Sequence, residues 1–144
     1  MKIEILETPF NPFEALAYYQ EGLVKLRGKY GATAASVGTM RDFNEGDSVQ
    51  SMTLEHYPGM TERHLQRIVE EAESNWELLD VLVIHRVGEL YPNNPIVLVA
   101  VWSAHRGAAF DACRYIMEAL KSRAPFWKQE SLAEGKRWVE KNTG

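Results

Sequence analysis

The sequence predicts an α+β domain, a mostly antiparallel sheet with helices packed on one face. Three observations point there. Aliphatic and β-branched runs recur along the chain and end in a nearly continuous apolar stretch from Pro95 to Ser103. Between them lie segments whose apolar residues repeat at three- and four-residue steps, the period of a helix with one buried face. The order of these segments reads β-α-β-β-α-β-β-α, followed by a shorter terminal element around Trp138, so two helices can cover one face of the sheet. With 144 residues, 45% of them hydrophobic and 25% charged, the chain fits a single domain, 1–144, with a real core.

Each element has a local reason. From Lys2 to Thr8, isoleucine and leucine alternate with charge, as in an edge or half-buried strand, and Pro9 and Pro12 stop it. Asn11-Pro12 is a helix start, with Asn as cap and Pro at the first helical position. Phe13, Leu16, Ala17, Leu23 and Leu26 supply that helix with an apolar stripe, which Gly22 weakens. After the turn at Gly28 to Gly31, Ala32 to Met40 is small and β-branched enough for a strand. The polar loop Arg41-Asp42-Phe43-Asn44-Glu45-Gly46-Asp47 feeds another from Ser48 to Tyr57, and the pair reads as a long hairpin. Thr61 follows the Pro58-Gly59 turn as a candidate cap for a helix that buries Leu65, Ile68, Val69, Ala72 and Trp76. Leu78 to Val87 and Pro95 to Ser103 are two further strands. Ala109, Ala112, Ile116, Ala119 and Leu120 mark a last helix whose alanines favour close approach, and Pro125 ends it at Ala124 or earlier.

Composition excludes several functions. A formal net charge of −4 leaves no electrostatic excess for coating nucleic acid. No apolar run reaches the roughly 20 residues that span a bilayer, and nothing resembles a signal peptide, so a cytoplasmic location is expected. The single cysteine, Cys113, allows neither an internal disulfide nor a cysteine-built metal site, and it reads as core. His56, His64 and His85 lack zinc spacing, and Asp42 with Asp47 lacks the ligand sequence of a calcium loop. A phosphotransfer enzyme would need a nucleotide loop or a metal site, and neither is present in the sequence.

Against this acidic background, cations cluster locally in Ser103-Ala104-His105-Arg106 and in the stretch from Lys121 to Lys128. Such a pattern suits a compact anionic ligand bound at one place. Arg106 falls in a first helical turn, where free N–H groups and a guanidinium fork together can hold a phosphate. The alternative is a hydrogen-bonding structural His105 beside a solvated Arg106. Lys121 lies fifteen positions after Arg106, and a continuous helix would hold the two about 22 Å apart. Either there are two subsites, or one site is assembled across a dimer. Lys128, beyond the Pro125 break, can fold back toward Lys121, with Phe126 and Trp127 excluding water. A lysine between another cation and an apolar wall has a lowered pKa and can act as nucleophile or acid–base group. The alternative is a pair of solubilising lysines at a helix end. Arg41 is either an anion clamp or a partner for the acids of its loop, and Arg86 is similarly open.

The motifs Gly38-Thr39-Met40-Arg41 with Gly46-Asp47, Leu54-Glu55-His56-Tyr57-Pro58-Gly59-Met60, Ile84-His85-Arg86-Val87-Gly88-Glu89-Leu90, Ser103-Ala104-His105-Arg106 and Lys121-Ser122-Arg123-Ala124-Pro125-Phe126-Trp127-Lys128 stand in order along one short domain. In these the chain resembles the MoaE family, the large catalytic subunits of molybdopterin synthase, from about Ile5 to Glu140. The resemblance implies a hammerhead-like α+β fold with a small additional β subdomain. It also implies a sulfurtransferase that converts cyclic pyranopterin monophosphate to molybdopterin, with no permanently bound cofactor and no metal. The sulfur donor would be the thiocarboxylated Gly-Gly tail of a small ubiquitin-like subunit, bound to each end of a homodimer of large subunits to give a heterotetramer. Gly144 follows Asn142-Thr143, so this chain resembles the acceptor rather than the carrier. By the same resemblance Lys121 is the catalytic lysine and Lys128 its supporting amine, while Arg41, His105 and Arg106 hold the pterin and its phosphate. Arg137 and Lys141 are candidates for a basic tail over the substrate. A binding protein without catalysis, for a phosphorylated pterin or a carrier tail, is the alternative, as is a structural homodimer with no ligand.

Overall fold

A computed structural model describes residues 1–133 and 135–139. In chain order it contains β1 (Lys2–Leu6), α1 (Pro12–Glu21), a 3-10 turn (Val24–Leu26), β2 (Ala32–Thr39), β3 (Phe43–Asn44), β4 (Asp47–His56), α2 (Met60–Asn75), β5 (Asp80–Arg86), β6 (Gly88–Leu90), β7 (Pro95–Ser103), α3 (Arg106–Arg123), β8 (Phe126–Leu132) and β9 (Gly135–Val139). The tail that carries Lys141 and Gly144 lies outside the described residues.

The strands form two sheets. The first has the order β1-β5-β7-β2, and the second runs β3-β4-β8-β9 with β6 also paired to β4. Among the described residues only the β1–β5 pair is parallel, and every other pairing is antiparallel. The apolar run of β7 is continuous because both faces of its sheet are covered. Val97, Val99 and Val101 join Val81 and Val83 of β5 against α2 and α3. Leu98, Ala100 and Trp102 join Leu82 and Ile84 on the opposite face, against Ala15, Leu16, Tyr19 and Leu23. Ala109, Ala112 and Ala119 of α3 are buried with Ile116 and Leu120, as the small-residue pattern predicts. A third cluster, with Met40, Val49, Met52, Leu54, Val87 and Leu90, lies under the second sheet.

Several expectations are corrected. The strands predicted as a long hairpin belong to different sheets: β2 pairs with β7, from Ala32 opposite Ser103 to Gly38 opposite Val97, while β4 pairs with β8, β6 and β3. The loop between them supplies its own tight turn. Glu45 and Gly46 both have positive φ, 53° and 83°, the geometry of a two-residue hairpin, and it closes Phe43 and Asn44 onto Ser48 and Asp47. In α1, Phe13 and Ala17 face outward, Phe13 with 70% of its surface exposed, and the buried stripe runs through Ala15 and Tyr19 instead. The cap of α2 is Gly59, at φ 84°, whose N–H donates to the Glu62 carboxylate. Thr61 sits inside the first turn, where its hydroxyl accepts from the Tyr57 N–H and donates to the Pro125 carbonyl. The terminal element around Trp138 is β9, hydrogen-bonded to β8.

Candidate active site

The last turn of α3 sets the first wall of a cleft. Arg123 makes two hydrogen bonds to the Glu71 carboxylate, at 2.6 and 3.2 Å, and the Tyr115 hydroxyl donates to the same carboxylate at 2.6 Å. These bonds fasten the end of α3, and with it Lys121, to α2. Ala124 then turns extended (φ −70°, ψ 139°), and the Thr61 hydroxyl holds the Pro125 carbonyl, so the chain doubles back as β8. Alternation along β8 directs Phe126, Lys128 and Glu130 inward and Trp127 outward, where its ring meets Tyr57 edge-on at 4.8 Å.

The opposite wall begins where β2 ends. A register shift between Gly38 and Thr39 turns the chain out of its sheet, and the Met40 N–H and carbonyl bond to Asn94 and Asn93. A β-carbon on Gly38 would lie 2.8 Å from the Val97 side chain, so the close approach needs glycine. Arg41 follows directly, its guanidinium 4.9 Å from the centre of the Phe43 ring. The cleft so formed is lined by Arg41, Phe43, Asn44, Lys121, Lys128 and Glu130 over Met40, Val49 and Met52.

The lysines are electrostatically unusual. Burial, then the nearby Arg41, lowers the pKa of Lys121 against the opposing pull of Glu118. Burial and the Lys121 ammonium bring Lys128 down to about 8, with Arg41 lowering it further and Glu130 opposing. Behind them His85 is buried, its ring stacked on Phe126 at 3.9 Å, and burial holds its pKa to about 4. Glu130, 5% exposed, accepts from the Asn44 amide and from Arg137. The site therefore combines a lysine whose pKa is brought down to about 8 with fixed positive charge, an arrangement that can bind an anion, exchange a proton and stabilise an oxyanion.

The structure brings Lys121, Lys128 and Arg41 together. It leaves His105 and Arg106 exposed at the other end of the unbroken helix α3. Their turn is well fixed. The Ser103 hydroxyl donates to the Glu77 carbonyl, the Gly31 N–H donates to the Ser103 carbonyl, and a β-carbon on Gly31 would lie 2.4 Å from the Ala104 carbonyl oxygen. Arg137 aims its donors at protein acceptors, namely Glu130, Asp47 and the Asn44 carbonyl. That position is a strut joining β9 to the β3–β4 turn. Arg86 is buried and donates to the Glu89 carbonyl, with its Nε unpartnered. Cys113 is a core residue, its thiol pushed up to about 11 by burial. Glu130, Asn44 and His85 were not singled out as site residues from sequence, whereas Phe126 was expected beside the lysines and is there. The two-residue spacing of Phe126, Lys128 and Glu130 would have placed Glu130 beside Lys128 once the segment was read as a strand.

Fold and cleft together define an α+β protein with three cations gathered around a half-sheltered slot, a class suited to anionic acyl or phosphate groups. The profile of the MoaE protein family matches residues 8–123, and the chain belongs to that family. It is 58% identical over 139 residues to the molybdopterin synthase catalytic subunit of Salmonella typhimurium, covering 96% of this chain and 89% of that one. Its structure superposes with TM-score 0.79 on a molybdopterin biosynthesis MoaE protein from Burkholderia ambifaria, at 43% identity and covering 99% and 91% of the two chains. A molybdopterin synthase from Staphylococcus aureus gives TM-score 0.81 at 28% identity, covering 96% and 98%.

Proposed function

We propose that this chain is the catalytic subunit of a molybdopterin synthase, a sulfurtransferase that turns cyclic pyranopterin monophosphate into molybdopterin. The sulfur comes from the C-terminal thiocarboxylate of a small ubiquitin-like partner. The observation that carries the reading is the meeting of Lys121, Lys128 and Arg41 in one cleft, in a chain of the MoaE family. The tail of the partner carries its negative charge into that cleft. The thiocarboxylate sulfur bonds to a pterin carbon as an oxygen substituent leaves that carbon, giving a thioester. Water then adds to the acyl carbon, negative charge gathers on the acyl oxygen, and the acyl C–S bond breaks to leave sulfur on the pterin and a carboxylate on the tail. Lys121 stabilises that oxygen, and Lys128, with its pKa near 8, exchanges the proton. Arg41 holds the pterin phosphate. The reaction requires no resident cofactor. His105 and Arg106 serve the cleft of a second copy in a central homodimer that carries one small subunit at each end, and the assembly works in the cytoplasm.

The test mixes the chain with thiocarboxylated small subunit and cyclic pyranopterin monophosphate and measures dithiolene product. Lys121→Ala is expected to lower turnover by about 100-fold or more while leaving binding of the small subunit intact. Unchanged turnover would remove the assignment of Lys121. Tight binding of pterin and tail with no product from the wild-type chain would favour the binding-only alternative.

A further inference from the structure

His85 ends β5 behind the lysines, and three contacts define its state. Its ring lies parallel to Phe126, with the centres 3.9 Å apart and the planes 13° apart. Its Nδ1 lies 2.7 Å from the Arg86 carbonyl oxygen. A carbonyl only accepts, so Nδ1 carries a proton; burial and the neighbouring cations oppose a second one, so Nε2 keeps a bare lone pair. The ring also lines a small cavity with Lys121, Lys128, Leu54, Ile96 and Phe126. Phe126 and Lys128 are two residues apart on β8 and share one face, about 7 Å apart. The ring and Lys128 thus border the same small cavity.

We propose that His85 is a positioning residue for Lys128: its uncharged imidazole, fixed through Nδ1, offers Nε2 as a hydrogen-bond acceptor to the Lys128 nitrogen and aims that amine into the cleft. The role rests on the reaction proposed above. The surrounding charges agree with it. Burial first, and then the charges of Lys128 on β8, Lys121 on α3 and His56 on β4, oppose protonation of the ring. Glu130 and Arg41 act in opposite directions on Lys128 itself. The acceptor is thus present throughout the neutral range, where a charged imidazole would repel the amine.

Two amide variants separate this role from packing. His85→Asn keeps a donor near Nδ1 for the Arg86 carbonyl and has no atom at Nε2; His85→Gln brings an amide oxygen to the Nε2 position. Titration of Lys128 in the free chain, followed by NMR of labelled lysine and assigned with Lys128→Arg, needs neither pterin nor partner. An acceptor favours the ammonium, so the Lys128 pKa is expected to fall in His85→Asn and to return toward the wild-type value in His85→Gln. In the full assay kcat should fall about tenfold in His85→Asn, with KM within about twofold, and His85→Gln should recover most of it. If His85→Asn does not fold, His85→Phe, which keeps the ring stack, takes its place. An unmoved Lys128 titration in a folded His85→Asn or His85→Phe overturns the proposal, as does a folded His85→Gln that restores neither titration nor kcat. Failure of the wild-type chain to make product would overturn the functional reading alone and leave the titration result standing.

Discussion

Lys128 holds its proton less tightly than an exposed lysine because burial and the Lys121 ammonium both penalise its charge, bringing its pKa to about 8. Turnover that uses the free amine therefore rises through an acid limb near pH 8, and Lys128→Arg, which stays charged, should remove the limb along with most of the activity. Stability follows from the same shift. Below pH 8 native and unfolded states are both protonated and the penalty is complete; between pH 8 and the ordinary 10.5 only the unfolded state holds the proton, so native stability rises across that window. Lys128→Met should accordingly raise Tm at pH 7, with an advantage that shrinks toward pH 10.5, as calorimetry at the two pH values would show. His85 works over a different window. Its folded pKa of about 4 lies below the usual 6.5, so stability is lost as pH falls from 6.5 toward 4 and the unfolded chain takes up a proton the native ring refuses. Equilibrium unfolding of His85→Gln should show a flatter pH dependence across that interval.

Arg137 illustrates how strand pairing makes the cleft. Its Nε donates to buried Glu130 and its Nη1 to Asp47, so one side chain links β9, β8 and the β3–β4 turn. Arg137→Met leaves the Glu130 carboxylate with the Asn44 amide but without its cation, and urea unfolding should register a lower midpoint. This link was illegible in the sequence because it joins residues 90 apart, Asp47 and Arg137, on strands whose pairing no local pattern announces. The same blindness produced the false hairpin. Ala32 to Met40 and Ser48 to Tyr57 each carry a correct strand signature, yet the hydrophobic period names no partner, and the Glu45-Gly46 turn acts only on Phe43 and Asn44. By contrast β7 matched its predicted bounds of Pro95 and Ser103, because burial on both faces writes itself into composition. Pro125 likewise marked the end of α3, since the ring forbids the residue before it from continuing the helix. Of the site, the lysines were legible through that break and its apolar flank. Glu130 and His85 stayed hidden because burial and neighbours, which give them their roles, are decided by tertiary pairing.

The net charge of −4 is distributed so that one cleft concentrates Arg41, Lys121 and Lys128, which draws an anionic peptide end toward one place on an otherwise acidic surface. What a single copy does not bring to that cleft is the His105–Arg106 turn, held about 22 Å away by the length of α3. The helix is continuous and fastened to α2, so bending is no remedy, and a second copy that supplies the turn is the proposal consistent with one ligand meeting both groups. Complementation tests it. In a dimer with two shared sites, a mixed pair of Lys121→Ala and Arg106→Ala protomers contains one site damaged twice and one intact, the intact one taking Lys121 from the Arg106→Ala copy and Arg106 from the other. Random mixing makes about half the dimers mixed, so the refolded or co-expressed blend should recover about a quarter of wild-type turnover, although each variant alone is nearly inactive. If each cleft used only groups of its own chain, every site in the blend would carry one lesion, and activity would stay at the average of the two variants.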